Sequence, residues 1–525
     1  MFYRYRFLRR VAAIASLSVV AGCGLLSDGD PDDQGPIVVG TTSAPSTLDP
    51  AGAWDGSWEL YRNIFQTLLA YPYGATTPQP DAARTCSFTD STSRTYRCQL
   101  RAGLKFADGD PLTAEAVRHS VERIRAINAP GGPAGLLGSL DRVETSGDRD
   151  IVFHLNKPDA TFPYVLATPA MSLVDPDDYP ADSLREGTDV HGSGPYELRS
   201  YEEGERAVLV RNDNYQGFAK RQNDAVTIRY FKDSAGMVQA LRDKSVDVTY
   251  RGLAADDIVA LQEHDDEDLQ LVDGAGTDIS YLVFNPADPW AGRIAVRKAV
   301  AQLVDRGAIA HKVYKDTVDP LYSMVPKGLT GHATGFFDDY GEPSVAKARK
   351  ILTDAGITRR VPLTLWYTTD RYGSETGLMF QELKRQLDGS GLFTITLKNR
   401  PWKSYVTGFQ KREYPVFGRG WFPDFPDADN FIAPFVGEHN ALGTPYPAKE
   451  ITGRLLPHAR AESDRAQTVK DMEAAQQIMV DDARLLPLWQ GRQFVAASVD
   501  ISGGEQALDP STIMMMWALH RKTSW

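Results

Sequence analysis

YRCQLRAGLKFADGDPLTAEAVRHSVERI, Tyr96 to Ile124, is the stretch whose reading decides the fold. It opens as a hairpin strand that runs up to Leu104. Asp108-Gly109 is a turn signal, because glycine accepts the backbone angles that a tight reversal needs. Thr113 can cap a helix, and Glu115 in its first turn sits well against the helix dipole. Val117, Val121 and Ile124 then recur at i, i+4 and i+7, which gives one buried stripe. Strand, tight turn and amphipathic helix follow one another within a single short run.

Before this run, Ile37 to Gly40 reads as a strand and Thr47-Leu48-Asp49-Pro50 as a turn. Ser57 to Ala70 has helical spacing through Leu60, Ile64 and Leu68. Cys86 and Cys98 flank the turn-like Asp90-Ser91-Thr92-Ser93, and a register centred on Thr92 sets them opposite each other. Outside the cytoplasm such a pair oxidises; otherwise they are two free thiols. Two cysteines without nearby histidine supply too few ligands for a metal.

After it come strands at Ile151 to Leu155 and Val208 to Val210, a glycine-rich turn at His191 to Leu198, and a short helix at Ala235 to Leu241. A second unit begins near Tyr281 to Asn285. Helices are expected from about Gly292, over Ala346 to Ala355 with Gly356 as its stop, over Glu375 to Leu387, and over Arg465 to Asp482. Strands are expected at Val361 to Tyr367 and Phe393 to Lys398. Strand and helix alternate, which argues for layered α/β architecture. Gln493 to Trp525 is expected to return to the first unit.

The beginning of the chain reads as an export leader. Arg4, Arg6, Arg9 and Arg10 precede an apolar run, Val11 to Val20, that is too short to span a bilayer. Val20-Ala21-Gly22-Cys23 then resembles a bacterial lipobox, with Cys23 as the lipid attachment and Val20 in place of the commoner Leu. Residues 23–35 are acidic and turn-rich, as in a flexible tether. Arg9-Arg10 raises twin-arginine export, although its flanks fit that pattern poorly. The chain of 525 residues carries a formal charge of −12, and loss of a leader with four arginines takes it to about −16. A nucleic-acid binder would show a basic patch instead.

Gly420-Trp421-Phe422-Pro423-Asp424-Phe425-Pro426-Asp427 sets a carboxylate among rings and prolines. A charge in such surroundings is poorly solvated and wants a cation, from the protein or from a ligand ammonium. The plainer alternative is a surface loop whose Asp caps a turn. Asp424, Asp427 and Asp429 could also be imagined as paired hydrolytic acids. However, no Gly-x-Ser-x-Gly elbow is present, and none of the nine His forms an HExxH array.

Taken in order, these pieces resemble the family 5 extracellular solute-binding proteins, the dipeptide and oligopeptide receptors of ABC importers. Tyr96 to Ile124 is similar to the family's "LR-G-KF-DG-P-TA" strand and helix, with Ala116 where Asp is usual. Gly192 to Tyr196 is similar to its "GTGPY" turn, and Tyr281 to Asp305 to its "Y-FN … VR-A … DR" segment. The resemblance implies an α/β, two-lobed periplasmic-binding-protein-like fold of the large peptide-binding type (class II), hinged between lobes. Lobe I would take residues 36–278 and 490–525, with an extra subdomain at about 75–190, and lobe II residues 279–489.

The resemblance implies that Asp424 grips a peptide's α-ammonium. Trp421, Phe422, Trp402 and Tyr405 are candidate pocket walls. Ser43 and Trp54 would face the cleft from the other lobe, and Arg419 is a candidate for the ligand carboxylate. The implied partners are a peptide, an ABC permease with its ATPase, and the membrane through the lipid anchor. A monomer is expected, without cofactor, metal or covalent chemistry. Rival readings keep the fold with another cargo (nickel chelate, haem, opine-like conjugate, oligosaccharide) or make the protein a ligand sensor without transport.

Overall fold

The computed structural model of the protein describes residues 35–263, 267–438 and 440–522. The expected leader and Cys23 lie outside the described residues, as does all of the expected tether but its last residue. Among the described residues no helix is long and apolar enough to cross a membrane.

Two long strands carry the chain between lobes. Leu269–Phe284 and Leu485–Ser498 pair antiparallel from Leu269 opposite Ser498 to Val283 opposite Leu485. The register shifts between Ala275 and Ile279, and again between Ser280 and Tyr281. Such irregularities bend and twist a strand pair. They fall where the strands leave one hydrophobic core and enter the next.

On one side of this crossing, Ile37–Thr41 lies parallel to both Ala225–Tyr230 and Val248–Tyr250. Arg206–Arg211 and Tyr196–Glu202 extend the sheet antiparallel. A separate four-stranded sheet carries Ala83–Phe88, Thr95–Leu100, Asp150–Leu155 and Leu140–Ser146. The helix Ala114–Ile127 buries Val117, Val121 and Ile124 and ends at Asn128, which takes the left-handed conformation. Cys86 stands opposite Cys98, and a disulfide joins them. Residues from Val495 to Leu519 pack back into this core.

On the other side, Phe393–Arg400, Val361–Thr368 and Val416–Trp421 line up beside Leu269–Phe284. Side chains on a strand alternate between faces, and here both faces are covered. Leu282 and Phe284 enter a core with Val296, Leu363 and Phe380. Tyr281 and Val283 enter another, with Phe417, Phe435 and Met472. The helix expected over Arg465 to Asp482 begins as a 3-10 turn, Arg465–Thr468, and becomes α-helical at Val469–Asp482. Asp464 accepts the Ala466 N–H at that start.

Candidate functional site

The stretch around Asp424 follows directly from the strand Val416–Trp421. Pro423 and Pro426 restrict the chain as it leaves the sheet. Asp427 then caps the short 3-10 helix Ala428–Phe431 by accepting the Asp429 N–H at 2.8 Å. Asn430 closes the loop on itself: its Oδ1 accepts the Asp424 backbone N–H at 2.9 Å and the Trp421 indole N–H at 3.2 Å, and its Nδ2 donates to Asp424 Oδ2 at 2.9 Å.

Three buried carboxylates stand within six residues, and their partners differ. Asp427 receives both arms of the Arg465 guanidinium, at 2.7 and 2.9 Å. Asp429 receives both arms of Arg460, each at 2.7 Å. Asp424 is 4% exposed and, among the described residues, forms no ion pair. Its partners are neutral: Asn430 at Oδ2, and the Trp54 indole N–H at Oδ1 at 2.5 Å. Burial pushes its carboxyl up to about 6, and the two hydrogen bonds only partly offset that. A carboxylate offers roughly four acceptor positions, so each oxygen keeps room for a further donor. Paired to Arg465 and Arg460, Asp427 and Asp429 serve as braces of the loop, which leaves Asp424 as the acid of the three that can receive a positive guest.

Trp54 follows Ala53 of the core built on Ile37–Thr41, whereas Asp424 follows Val416–Trp421 of the other side, so this carboxylate lies where the two sides of the crossing meet. Other contacts cross there. Tyr164 and Phe425 set their rings 6.0 Å apart. The Ala160 N–H donates to Arg460 O at 2.7 Å, and the Ala255 N–H to Glu375 Oε1 at 3.0 Å.

The remaining expected positions divide. Phe422 is 46% exposed and stacks at 6.4 Å on Tyr372. Trp421 is half-buried, with its ring 5.1 Å from Phe435. Trp402 lies 5.7 Å from Tyr372. Tyr405 is wholly buried in the core with Tyr281, Phe417 and Met472, and its hydroxyl donates to Gly418 O at 2.9 Å and Trp366 O at 3.1 Å. The Arg419 guanidinium donates to Ala441 O at 2.7 Å and lies over the Phe409 ring at 4.5 Å. Ser43 packs against Gly56, near the buried Glu59, which pairs with the half-buried Arg251 at 2.7 Å.

Residues that sequence reasoning missed are Asn430, Arg460 and Arg465. Asn430, six positions after Asp424, carried a weak local signal. The two arginines lie more than thirty residues away in the chain and carried none.

The family model described as "Bacterial extracellular solute-binding proteins, family 5 Middle" matches residues 77–443. The probable D,D-dipeptide-binding periplasmic protein of Escherichia coli is 26% identical over 482 residues, covering 89% of this chain and 90% of that protein. A Helicobacter pylori ABC transporter-associated periplasmic binding protein, solved with the peptide STSA, superposes with a TM-score of 0.78 at 21% identity, covering 93% of this chain and 98% of that one. A binding protein of A. tumefaciens, solved with agropinic acid, has a TM-score of 0.75 at 21% identity, covering 94% and 99%.

Proposed function

The chain belongs to the family 5 bacterial extracellular solute-binding proteins, and from that premise we propose that its solute is a peptide, held by its α-ammonium at Asp424 and handed to an ABC permease. One observation carries this reading: Asp424 is buried at the lobe seam with neutral partners only, while both neighbouring carboxylates have guanidinium partners. An ammonium can complete such a site, because a buried charge gains most from a partner of opposite sign. The D,D-dipeptide and STSA named for two similar proteins are ligands of the same chemical kind.

Micromolar capture requires about 8 kcal/mol, which an ion pair, backbone hydrogen bonds and excluded water can supply. Trp421, Phe422 and Trp402 are our candidates for walls around the ligand, and Trp54 for the contact from lobe I. We divide the lobes at 36–278 with 490–525 against 279–489, since the hydrophobic cores separate near those positions. Cys23 is our candidate for lipid attachment. Metabolic labelling with an alkyne fatty acid, lost on Cys23→Ser, tests that anchor.

The function itself is tested by titrating the protein with one tripeptide in free and N-acetylated forms. The free form binds and the acetylated form does not, because acetylation removes the positive charge. Equal binding of both forms overturns the assignment of Asp424. Binding of neither, while an unrelated small molecule co-purifies, overturns the peptide reading.

A further inference from the structure

The loop that carries Asp424 also fastens the two sides of the crossing together. Phe425, the next residue, is 4% exposed and belongs to the core built on Ile37–Thr41, whereas Ala428 and Phe431 belong to the core on the loop's own side. Residues of one short loop thus enter opposite cores. Phe425 meets Tyr164 there, with ring centroids 6.0 Å apart. Tyr164 lies in the short helix Phe162–Leu166, which follows the strand Asp150–Leu155 of the four-stranded sheet.

The same sheet reaches the braces of the loop. Ser93 lies at the tip of the hairpin formed by Ala83–Phe88 and Thr95–Leu100. Its hydroxyl donates to Ala461 O at 3.1 Å, and the Ala160 N–H donates to Arg460 O at 2.7 Å. Those carbonyls end the helix Leu456–Ala461, and a helix leaves its last carbonyls without partners of its own. The tip is held in shape to reach them. Cys86 and Cys98 join its two strands, and the Asp90 carboxylate accepts the Thr92 and Thr95 N–H groups at 2.8 and 2.6 Å. Ser93 takes a left-handed φ of 54° and is 2% exposed. The Asp159 N–H donates to Ser93 O at 3.0 Å, which ties the tip to the segment that carries Ala160 and Tyr164. Charges of opposite sign face each other along this contact: Lys157 bears on Asp429, and Asp159 on Arg460.

We propose that the four-stranded sheet is a clasp for bound ligand, with Ser93 and Tyr164 as positioning residues that hold Arg460 and Phe425, and through them the Asp424 loop, in the closed arrangement. Opening the hinge draws Phe425 out of the opposite core and parts the two carbonyls from their donors. Water then meets an apolar ring that closure had covered. The clasp therefore slows ligand release and has little effect on capture, since contacts made after docking act mainly on the dissociation rate. The inference rests on Asp424 as the grip on a peptide ammonium, and it adds the residues that set residence time.

The test is stopped-flow tryptophan fluorescence with dialanine, trialanine and tetraalanine on the full chain, on Ser93→Gly and on Tyr164→Leu. Glycine accepts the left-handed backbone at position 93 and removes only the hydroxyl side chain. Each variant is expected to release peptide about tenfold faster than the wild type, the effect of one lost hydrogen bond or ring contact, with association within about twofold. A purely structural role would lower the melting temperature without that split between the two rates. Release at the wild-type rate in both variants overturns the inference and leaves the peptide reading standing. So does a change confined to association. Binding of none of the three peptides to the wild type overturns the peptide reading. The clasp is then judged without ligand, by small-angle X-ray scattering: a larger radius of gyration in both variants than in the wild type sustains it, and equal radii overturn it as well.

Discussion

Trp54 donates its indole N–H to Asp424 Oδ1 at 2.5 Å, which ties together residues 370 positions apart in the chain. One belongs to the lobe that contains the N-terminal strand, the other to the loop after Val416–Trp421. A neutral donor thus occupies part of the carboxylate that we assign to the ligand ammonium, and the lobes touch around it. A hydrogen bond to a charged group contributes about 1.5–3 kcal/mol. Hinge closure around ligand is a known motion of two-lobed receptors, and this contact favours the closed arrangement.

Trp54→Phe keeps an aromatic ring and removes the donor. In the absence of ligand its radius of gyration, measured by small-angle X-ray scattering, is expected to exceed that of the wild type. The two radii are expected to converge when saturating peptide is added. A ligand-free radius equal to the wild type's would mean that the other contacts at the seam hold the lobes together.

Asp424→Asn separates binding from stability. Loss of one partner from a buried charge pair costs about 2–5 kcal/mol, so peptide affinity is expected to fall at least about thirtyfold. Stability moves the other way. The Asp424 carboxyl sits at about 6 in the folded protein and near 3.9 when unfolded. Between those values the folded state holds the proton more tightly, so its advantage declines as pH rises from about 4 to about 6. At pH 7 the ionised carboxylate is a net burden without ligand. The ligand-free Asn variant is expected to melt at a higher temperature than the wild type at pH 7, with no such gain at pH 4.

The same group sets the pH dependence of capture. An ammonium gains little from a protonated carboxyl, so peptide affinity is expected to hold above pH 6 and to fall about tenfold per unit below it. The partners around Asp424 are neutral, so this carboxyl and not a neighbour supplies the transition. Titration of a peptide without basic side chains from pH 4.5 to 8 checks it, and the Asn variant should lose the transition.

How much of this was legible depends on range along the chain. The helix Ala114–Ile127 followed from local signals, Glu115 and the Val117, Val121, Ile124 stripe, whereas Thr113 stands at its N-cap without the expected side-chain hydrogen bond. Val345–Asp354, Val361–Thr368 and Thr376–Gly389 lie within a residue or two of their expected limits for the same reason. The helix Trp402–Gln410 was not foreseen: its Gly408 and β-branched Val406 and Thr407 weaken helical propensity, and the helix is held by burial of Tyr405 and Phe409. At the site, the oddity of Asp424 could be read from its neighbours. The answers to Asp427 and Asp429 could not, because Arg460 comes from the distant helix Leu456–Ala461 and Arg465 from the 3-10 turn Arg465–Thr468.

The braces beneath the site make the last expectation. Arg460 holds Asp429 with both arms, and its carbonyl receives the Ala160 N–H from the other lobe. Burial pushes the Asp429 carboxyl up, but the charge and hydrogen bonds of Arg460 outweigh that and hold it below the usual range. This stabilisation is therefore present above the unfolded value near 3.9 and is lost as pH falls through the lower folded value. Arg460→Ala leaves a buried carboxylate with only the more distant charges of Arg465 and Lys157 among the described residues, with an expected loss of about 3–5 kcal/mol in urea unfolding at pH 7. Asp429→Asn combined with Arg460→Met removes both charges, and less stability is lost than in the single variant, because no unpaired ion stays behind. Because Asn430 follows Asp429 directly and positions Asp424, the single variant is also expected to bind peptide more weakly while folded. The double variant should restore part of that affinity. A double variant as unstable as the single one would mean that the shape of the pair, rather than its charge, supports the loop.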